Sequence, residues 1–239
     1  MLRRDIVVIG GSAGGIDALV TIVAALPADL QATVFVVIHI PAYSPSMLPD
    51  VLRHAGKLPA AHPTDGEKFK LGRIYVAPPD HHMLIEGDRV LVRKGPKENR
   101  LRPSVDALFR SAAYVHGPRA IGVVISGVLD DGTSGLWLIK RLGGIALVQT
   151  PEDAMHPEMP RSAIDQVEID YVRPAAELGP LLVTLAGTPV VGRPAMPEDE
   201  LRRLGTEIDI AARTGAFDKE LMNWARSLRS RVRTATGRC

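Results

Sequence analysis

Hydrophobic and polar positions divide this chain into two recurring kinds of stretch. Short apolar, β-branched runs occupy 5–10, 33–39, 73–77, 83–86 with 89–93, 120–126, 144–149 and 167–172. Between them, apolar residues recur at helical spacing over 15–26, 45–55, 103–116, 133–142 and 175–186. Continuous apolar runs suit strands covered on both faces, as parallel strands are. Their alternation with helices predicts a three-layer α/β/α fold around a mostly parallel, doubly wound sheet. One piece departs from this: Gly87-Asp88, set between two apolar runs, predicts an antiparallel hairpin. The pattern breaks at Gly187-Thr188-Pro189, and Gly192 to Pro197 reads as a linker. Glu198 to Arg233 has helical composition and turns basic near its end. The expected division is therefore a globular unit over 1–187 and a linker with a helical tail over 188–239.

The most informative segment is Asp5-Ile6-Val7-Val8-Ile9-Gly10-Gly11-Ser12-Ala13-Gly14-Gly15. An apolar run stops at four glycines around a single serine, and a helical pattern follows. Ser12 thus falls on a strand-to-helix turn, and Gly10-x-Ser12-x-Gly14 fits the spacing of a nucleophile elbow. A serine esterase needs a base and an acid beside that hydroxyl. The second strand ends in His39, and one right-handed βαβ unit brings its carboxyl end to the same sheet edge as Ser12. Neighbouring strands are ~4.8 Å apart, which puts the two side chains near hydrogen-bonding range. The run Ala120 to Ile125 ends at that edge too, and Asp130-Asp131-Gly132 follows it. One of these aspartates is expected to orient His39, with Asp131 favoured over Asp130. Plainer roles compete: Ser12 as a helix N-cap, His39 as a core histidine, an aspartate as the cap of the next helix.

Composition narrows the class. The chain has 239 residues, 23% charged and 46% hydrophobic, and a net charge of +2, which does not suggest a nucleic-acid binder. A single cysteine, Cys239, excludes an intrachain disulfide framework and fits a reducing compartment. No apolar stretch approaches the ~20 residues needed to span a bilayer, so no membrane insertion is expected. Met1-Leu2-Arg3-Arg4 resembles the start of a signal peptide, but Asp5 and the glycines interrupt it. The expected location is cytoplasmic. His81 and His82 are adjacent on a predicted strand, point to opposite faces and lack metal-ligand spacing; they read as surface or cleft-rim residues, with no metal site. No cofactor is implied.

With these residues in place, the chain resembles the catalytic domain of the chemotaxis-receptor protein-glutamate methylesterase family (CheB). The matching segments are Val8 to Gly15, Val37-Ile38-His39-Ile40-Pro41, Arg73 to His82, Arg102-Pro103-Ser104-Val105-Asp106-Ala107-Leu108-Phe109, Ser126-Gly127 through Asp131-Gly132, and Met159-Pro160. They occur in the family's order and cover roughly 5–187, the expected catalytic domain. The resemblance implies a triad of Ser12, His39 and Asp131. It also implies oxyanion donors on the backbone N–H groups of Ala13 and Val128, and substrate contacts near Arg102 and Met159. For Arg102 and Asp106, ordinary surface pairing is an equal alternative. The implied partner is a methylated chemoreceptor or related signalling protein, and the implied chemistry extends to glutamine deamidation. Two local departures stand out. Ile125-Ser126-Gly127-Val128-Leu129 replaces the family's Leu-Thr-Gly-Met-Gly, and Ala13 replaces a frequent threonine. The first strand begins by Asp5, so the expectation is a stand-alone form without the family's receiver domain. The tail arginines (Arg226, Arg229, Arg231, Arg233) read as a solvated face, with docking to an acidic partner as the alternative.

Two other readings use the same glycines. A dinucleotide-binding module would place a pyrophosphate at the helix N-terminus. Against it, Ser12 replaces the middle glycine, and no acidic residue occurs between Leu30 and Pro49. A catalytically silent binding relative is the other alternative, and an intact triad argues against it.

Overall fold

The structure is a computed structural model and describes residues 2–43, 45–190, 192 and 194–213. The first half contains β1 (Ile6–Gly11), α1 (Gly15–Ala24), β2 (Thr33–Ile38), α2 (Leu48–Ala55), β3 (Ala60–Ala61), β4 (Glu67–Lys68), β5 (Ile74–Val76), β6 (His82–Glu86) and β7 (Arg89–Arg93). The second contains α3 (Val105–His116), β8 (Ala120–Val124), α4 (Thr133–Arg141), β9 (Ile145–Gln149), α5 (Glu158–Gln166), β10 (Tyr171–Arg173), α6 (Ala175–Leu185) and α7 (Glu198–Ala212).

Seven parallel strands form one sheet in the order β10-β9-β8-β1-β2-β5-β3. Alternate residues of each strand enter opposite cores. Val7, Ile9, Val34 and Val36 pack under α1, α2 and α6, whereas Ile6, Val8, Phe35 and Val37 pack under α3, α4 and α5. That two-sided burial is why the strands read as continuous apolar runs rather than alternating ones. From β1 the chain moves one way to β2, and it later returns to β1's other side as β8. Right-handed crossovers in opposite directions put α1 and α4 on opposite faces. The reversal opens a crevice beyond the carboxyl ends of β1 and β8, where ligands of such sheets bind.

The predicted hairpin is present as β6 and β7, and β4 joins it to make a separate three-stranded antiparallel sheet. Two expectations shift. The strand expected at 167–172 begins only at Tyr171, because a helix not foreseen, α5, runs to Gln166 and is capped by Val167. Pro157 and Pro160 obscured that helix, yet proline is tolerated at a helix start. The linker and tail are also less detached than their composition implies. Arg4 N–H donates to Thr188 O (2.9 Å) and Val190 N–H to Leu2 O (3.1 Å), so 188–190 runs along the first residues. Helix α7 lies against α3 and the hairpin, with Ala211 clustered on Leu84, Leu91 and Ala107. The tail arginines and Cys239 lie outside the described residues. Among the described residues no helix is long and apolar enough to cross a membrane.

Candidate active site

The turn after β1 is built by close packing. A Cβ on Gly10 would stand 2.1 Å from Val105 Cγ1, and one on Gly11 would stand 2.6 Å from Ile125 Cγ1. Glycines there let α3 and the end of β8 press against β1. Gly14 has φ 71° and is the N-cap of α1, with no side-chain cap. Ser12 therefore does not cap the helix. Its carbonyl accepts from Gly15 N–H (2.9 Å), and its own N–H donates to Ser126 O (2.9 Å). The Ser12 hydroxyl forms no hydrogen bond among the described residues and is half-buried at the sheet edge.

His39 is placed by register. Gly11 pairs with Ile38, so Ser12 and His39 are the next residues outward on adjacent parallel strands. His39 N–H donates to Gly11 O (3.2 Å), which carries the pairing one step past the strand. The imidazole Nε2 lies 2.9 Å from Asp131 Oδ2, and the two side chains are 11% and 1% exposed. Asp130, by contrast, is exposed, and its carbonyl accepts from Thr133 N–H. Of the two aspartates, Asp131 is the one whose carboxylate meets the His39 ring.

Asp131 also sits on the N-terminus of α3. Its Oδ2 accepts from Val105 N–H (2.7 Å), and its Oδ1 accepts from the Ser104 hydroxyl (2.9 Å) and Asp106 N–H (3.2 Å). Ser104 is the N-cap of that helix and accepts from Ala107 N–H through its side chain. Free N–H groups and the positive end of the helix dipole favour an anion at that point. Burial alone would raise the Asp131 carboxyl. The hydrogen bond and charge of His39 and the N–H groups of Val105 and Asp106 outweigh it and hold the carboxyl below its usual range. With an acceptor facing Nε2, that nitrogen carries the proton, and Nδ1 is the nitrogen left to act as a base.

The loop after β8 passes directly over Ser12. A Cβ on Gly127 would lie 2.9 Å from Ser12 Cβ. Ser126 ties the two turns together: its hydroxyl donates to Ala13 O (2.8 Å) and accepts from His156 N–H (2.9 Å). Gln149 Oε1 accepts from Ser126 N–H (2.8 Å). Leu129, with φ 66°, donates its N–H to Glu158 Oε2 (2.9 Å). Among the described residues, the N–H groups of Ala13 and Val128 have no such partner. Ala13 directly follows the serine, and Val128 follows the glycine that packs on it.

The remaining residues are held within the protein. Arg102 is paired, one of the two alternatives the sequence left open. Its Nε and Nη2 donate to Asp80 Oδ1 (2.9 and 2.7 Å), and its Nη1 donates to Gly95 O. Met159 is fully buried, and its sulfur packs where a Cβ on Gly127 would be, so it shapes the loop from beneath. His82 is not on the surface or the cleft rim. It is fully buried, its Nδ1 accepts from Ser104 N–H (3.3 Å), and its Nε2 donates to Pro96 O (2.8 Å). Burial pushes its imidazole down from the ordinary range, so it serves as a neutral bridge to the N-cap. Asp106 is buried as well rather than paired on the surface. From the sequence, Ser104 has no role of its own, and His82 reads only as a surface or cleft-rim residue. Ser104 could have been singled out, since a serine before an apolar-periodic run signals a helix start. Among the described residues, no group of three or more His, Cys, Asp or Glu stands together as a metal site.

Comparison with known proteins agrees with this geometry. Residues 7–182 match the CheB methylesterase family. A Leptospira interrogans protein whose name carries protein-glutamate methylesterase/protein-glutamine glutaminase is 38% identical over 185 residues, covering 77% of this chain and 96% of its own length. A protein-glutamate methylesterase/protein-glutamine glutaminase of Maricaulis maris is 35% identical over 188 residues, which cover 77% of this chain. The match spans about half of that relative's length (47%). The crystal structure of the Thermotoga maritima CheB methylesterase catalytic domain superposes with a TM-score of 0.74 at 33% identity, covering 77% of this chain and 100% of that one. The chain belongs to the CheB methylesterase family.

Proposed function

We propose that this protein hydrolyses methyl esters of glutamate side chains on a methylated chemoreceptor or related signalling protein. The observation that carries the reading is the Asp131 carboxylate, seated on the N-terminus of α3 and bonded to a histidine that lies beside Ser12 across one strand pair. Ser12 Oγ attacks the ester carbonyl while His39 Nδ1 takes its proton, and the imidazolium is stabilised by Asp131. The N–H groups of Ala13 and Val128 receive the oxyanion. The tetrahedral intermediate collapses, and methanol leaves with the proton from His39. Water then attacks the acyl-enzyme by the same route, freeing the glutamate and restoring the Ser12 hydroxyl. A glutamine side chain enters the same sequence with ammonia as the leaving group. A dinucleotide role fits less well: His39 stands where a ribose-binding acid belongs, and the glycine at 14 serves contacts to Met155 and Ser126.

The test is methanol release from a methylated chemoreceptor cytoplasmic fragment, with Ser12→Ala and His39→Ala beside the wild type. Each substitution is expected to lower turnover by about 10⁴-fold or more. Undiminished turnover in Ser12→Ala would sink the proposal. A fluorophosphonate probe separates the remaining cases. Labelling of Ser12 without methanol release would overturn the substrate class, and absence of labelling would overturn the nucleophile.

A further inference from the structure

Asp106 occupies the second residue of α3, facing the loop that delivers Asp131, and the proposed reaction gives it no task. Its side chain is 5% exposed. Oδ1 accepts from Gly132 N–H (3.0 Å) and Gly135 N–H (2.7 Å), and Oδ2 accepts a longer bond from Asn99 Nδ2 (3.4 Å). Gly132 follows Asp131 directly and is the N-cap of α4. The two helices therefore exchange carboxylates: Asp131, just ahead of α4, seats on the N-terminus of α3, while Asp106 of α3 seats on the N-terminus of α4.

We propose that Asp106 is a positioning residue for this esterase site: it anchors the backbone that follows Asp131, so that Asp131 stays on α3 and aimed at His39. The inference rests on the esterase reading of Ser12, His39 and Asp131. Removing the anchor frees the peptides of Gly132 and Gly135, and the Asp131 carboxylate then has only its own contacts to α3 to hold it.

The same arrangement fixes which carboxyl is charged. The groups facing Asp106 are Asp130 and Asp131 from the loop, Arg110 from its own helix, and uncharged Asn99, Thr133, Trp137 and Gln166 around a cavity of about 380 Å³. The Asp106 and Asp131 carboxyls are within hydrogen-bonding reach, and two buried carboxylates so close do not both ionise readily. Four donors converge on Asp131, His39 among them. Burial first, and then the Asp131 charge, push Asp106 up to about 8. Asp106 is the protonated member at neutral pH, and what it contributes is an acceptor of fixed position.

The experiment compares Asp106→Asn, which keeps a neutral acceptor, with Asp106→Ala, which removes it. Two readouts are used: methyl-ester turnover, and the rate at which a fluorophosphonate labels Ser12. Asp106→Asn is expected within about threefold of wild type in both, and Asp106→Ala is expected to lose about tenfold or more in kcat with KM within about twofold. Should Asp106→Ala fail to fold, Asp106→Leu fills the volume, accepts nothing, and is expected to lose the same. Wild-type kcat and labelling in the Ala or Leu variant would overturn the inference, as would an Asn variant as impaired as Ala. If the wild type labels but releases no methanol, the esterase substrate has been misread, and the labelling rates still decide the role of Asp106.

Discussion

The Asp131 carboxylate joins a structural task to the catalytic one proposed for it. It accepts from the His39 ring, the Ser104 hydroxyl, and the N–H groups of Val105 and Asp106. An amide in its place has one oxygen for these donors and presents its NH₂ to the others. Asp131→Asn is therefore expected to lower turnover by roughly 10³–10⁴-fold through the wrong histidine tautomer. It should also lower the unfolding temperature, because buried donors lose their acceptor. Activity lost with an unchanged unfolding temperature would mean that the α3 N-terminus does not need this anion. At this scale the sequence was most legible where chemistry and local pattern coincide: Ser12 between glycines, His39 at a strand end, Asp131 before a glycine. It was least legible for side chains whose partners are distant in sequence. Ser104 and His82 act on Asp131 through contacts spanning about two dozen positions, which no local spacing encodes. Arg102 and Met159 lie in segments that resemble the family's, and there a guanidinium is tied to Asp80 and a thioether packs under Gly127, contacts that no local spacing encodes.

Between elements, the decisive contact is α3 against α4 at their N-termini. Gly135 permits it: a Cβ there would stand 2.5 Å from Phe109 Cβ and 3.2 Å from the Asp106 backbone. Gly135→Ala is expected to cost about 1–3 kcal/mol by overpacking. Because the strain falls beside Asp106, kcat should drop while KM stays near wild type, which steady-state kinetics well below the unfolding temperature can check. The carboxyl pair between these helices also sets a pH dependence. Asp106 is held above its unfolded value of 3.8, up to about 8, so its contribution to stability is complete at acid pH and is lost as pH rises through about 8. Asp131 is held below its ordinary value, so its contribution is present above that value and is lost as pH falls. Asp106→Asn lacks only the first effect. Its unfolding midpoint, measured against wild type, should gain steadily from pH 4 to pH 8 and level off beyond. A constant gap would mean that Asp106 is ionised throughout. Helices with clean apolar spacing, such as α1 and α4, could be read from sequence because burial of one face imposes a helical period. Helix α5 could not, since its prolines and short length leave little periodic signal over Glu158–Gln166.

Across the whole molecule, the order of strands does the work of assembly, because the reversal at β1 brings three loops distant in sequence to one edge. That architecture was foreseeable from alternating runs; the placement of the tail was not, since helical composition beyond Pro197 does not say what the helix packs against. Helix α7 runs beside α3 on the side away from the sheet. Ala211 meets the backbone at Gly95, Glu207 approaches Arg110 (3.5 Å), and Glu200 holds Arg141 by two bonds (3.0 and 2.8 Å). Such surface pairs contribute little, so the gain from α7 and the segment leading into it comes mainly from apolar burial at Ala211, Leu204 and Met196. At roughly 1.5–3 kcal/mol for a fully buried large side chain, and less for these partly covered ones, the total is about 2–3 kcal/mol. Truncation after Pro189 is thus expected to lower the unfolding temperature by roughly 4–12 °C for a domain of this size. The site should survive it. Val105, Leu108, Phe109 and Ala112 fix α3 to the sheet from the other side, and the Asp131 seat is made by α3 and its own loop. Turnover per folded molecule should stay within about threefold of the full chain. A larger fall in kcat at low temperature would instead mean that α7 steadies the site through Gly95 and Pro96, the backbone on which Arg102 and His82 are fastened.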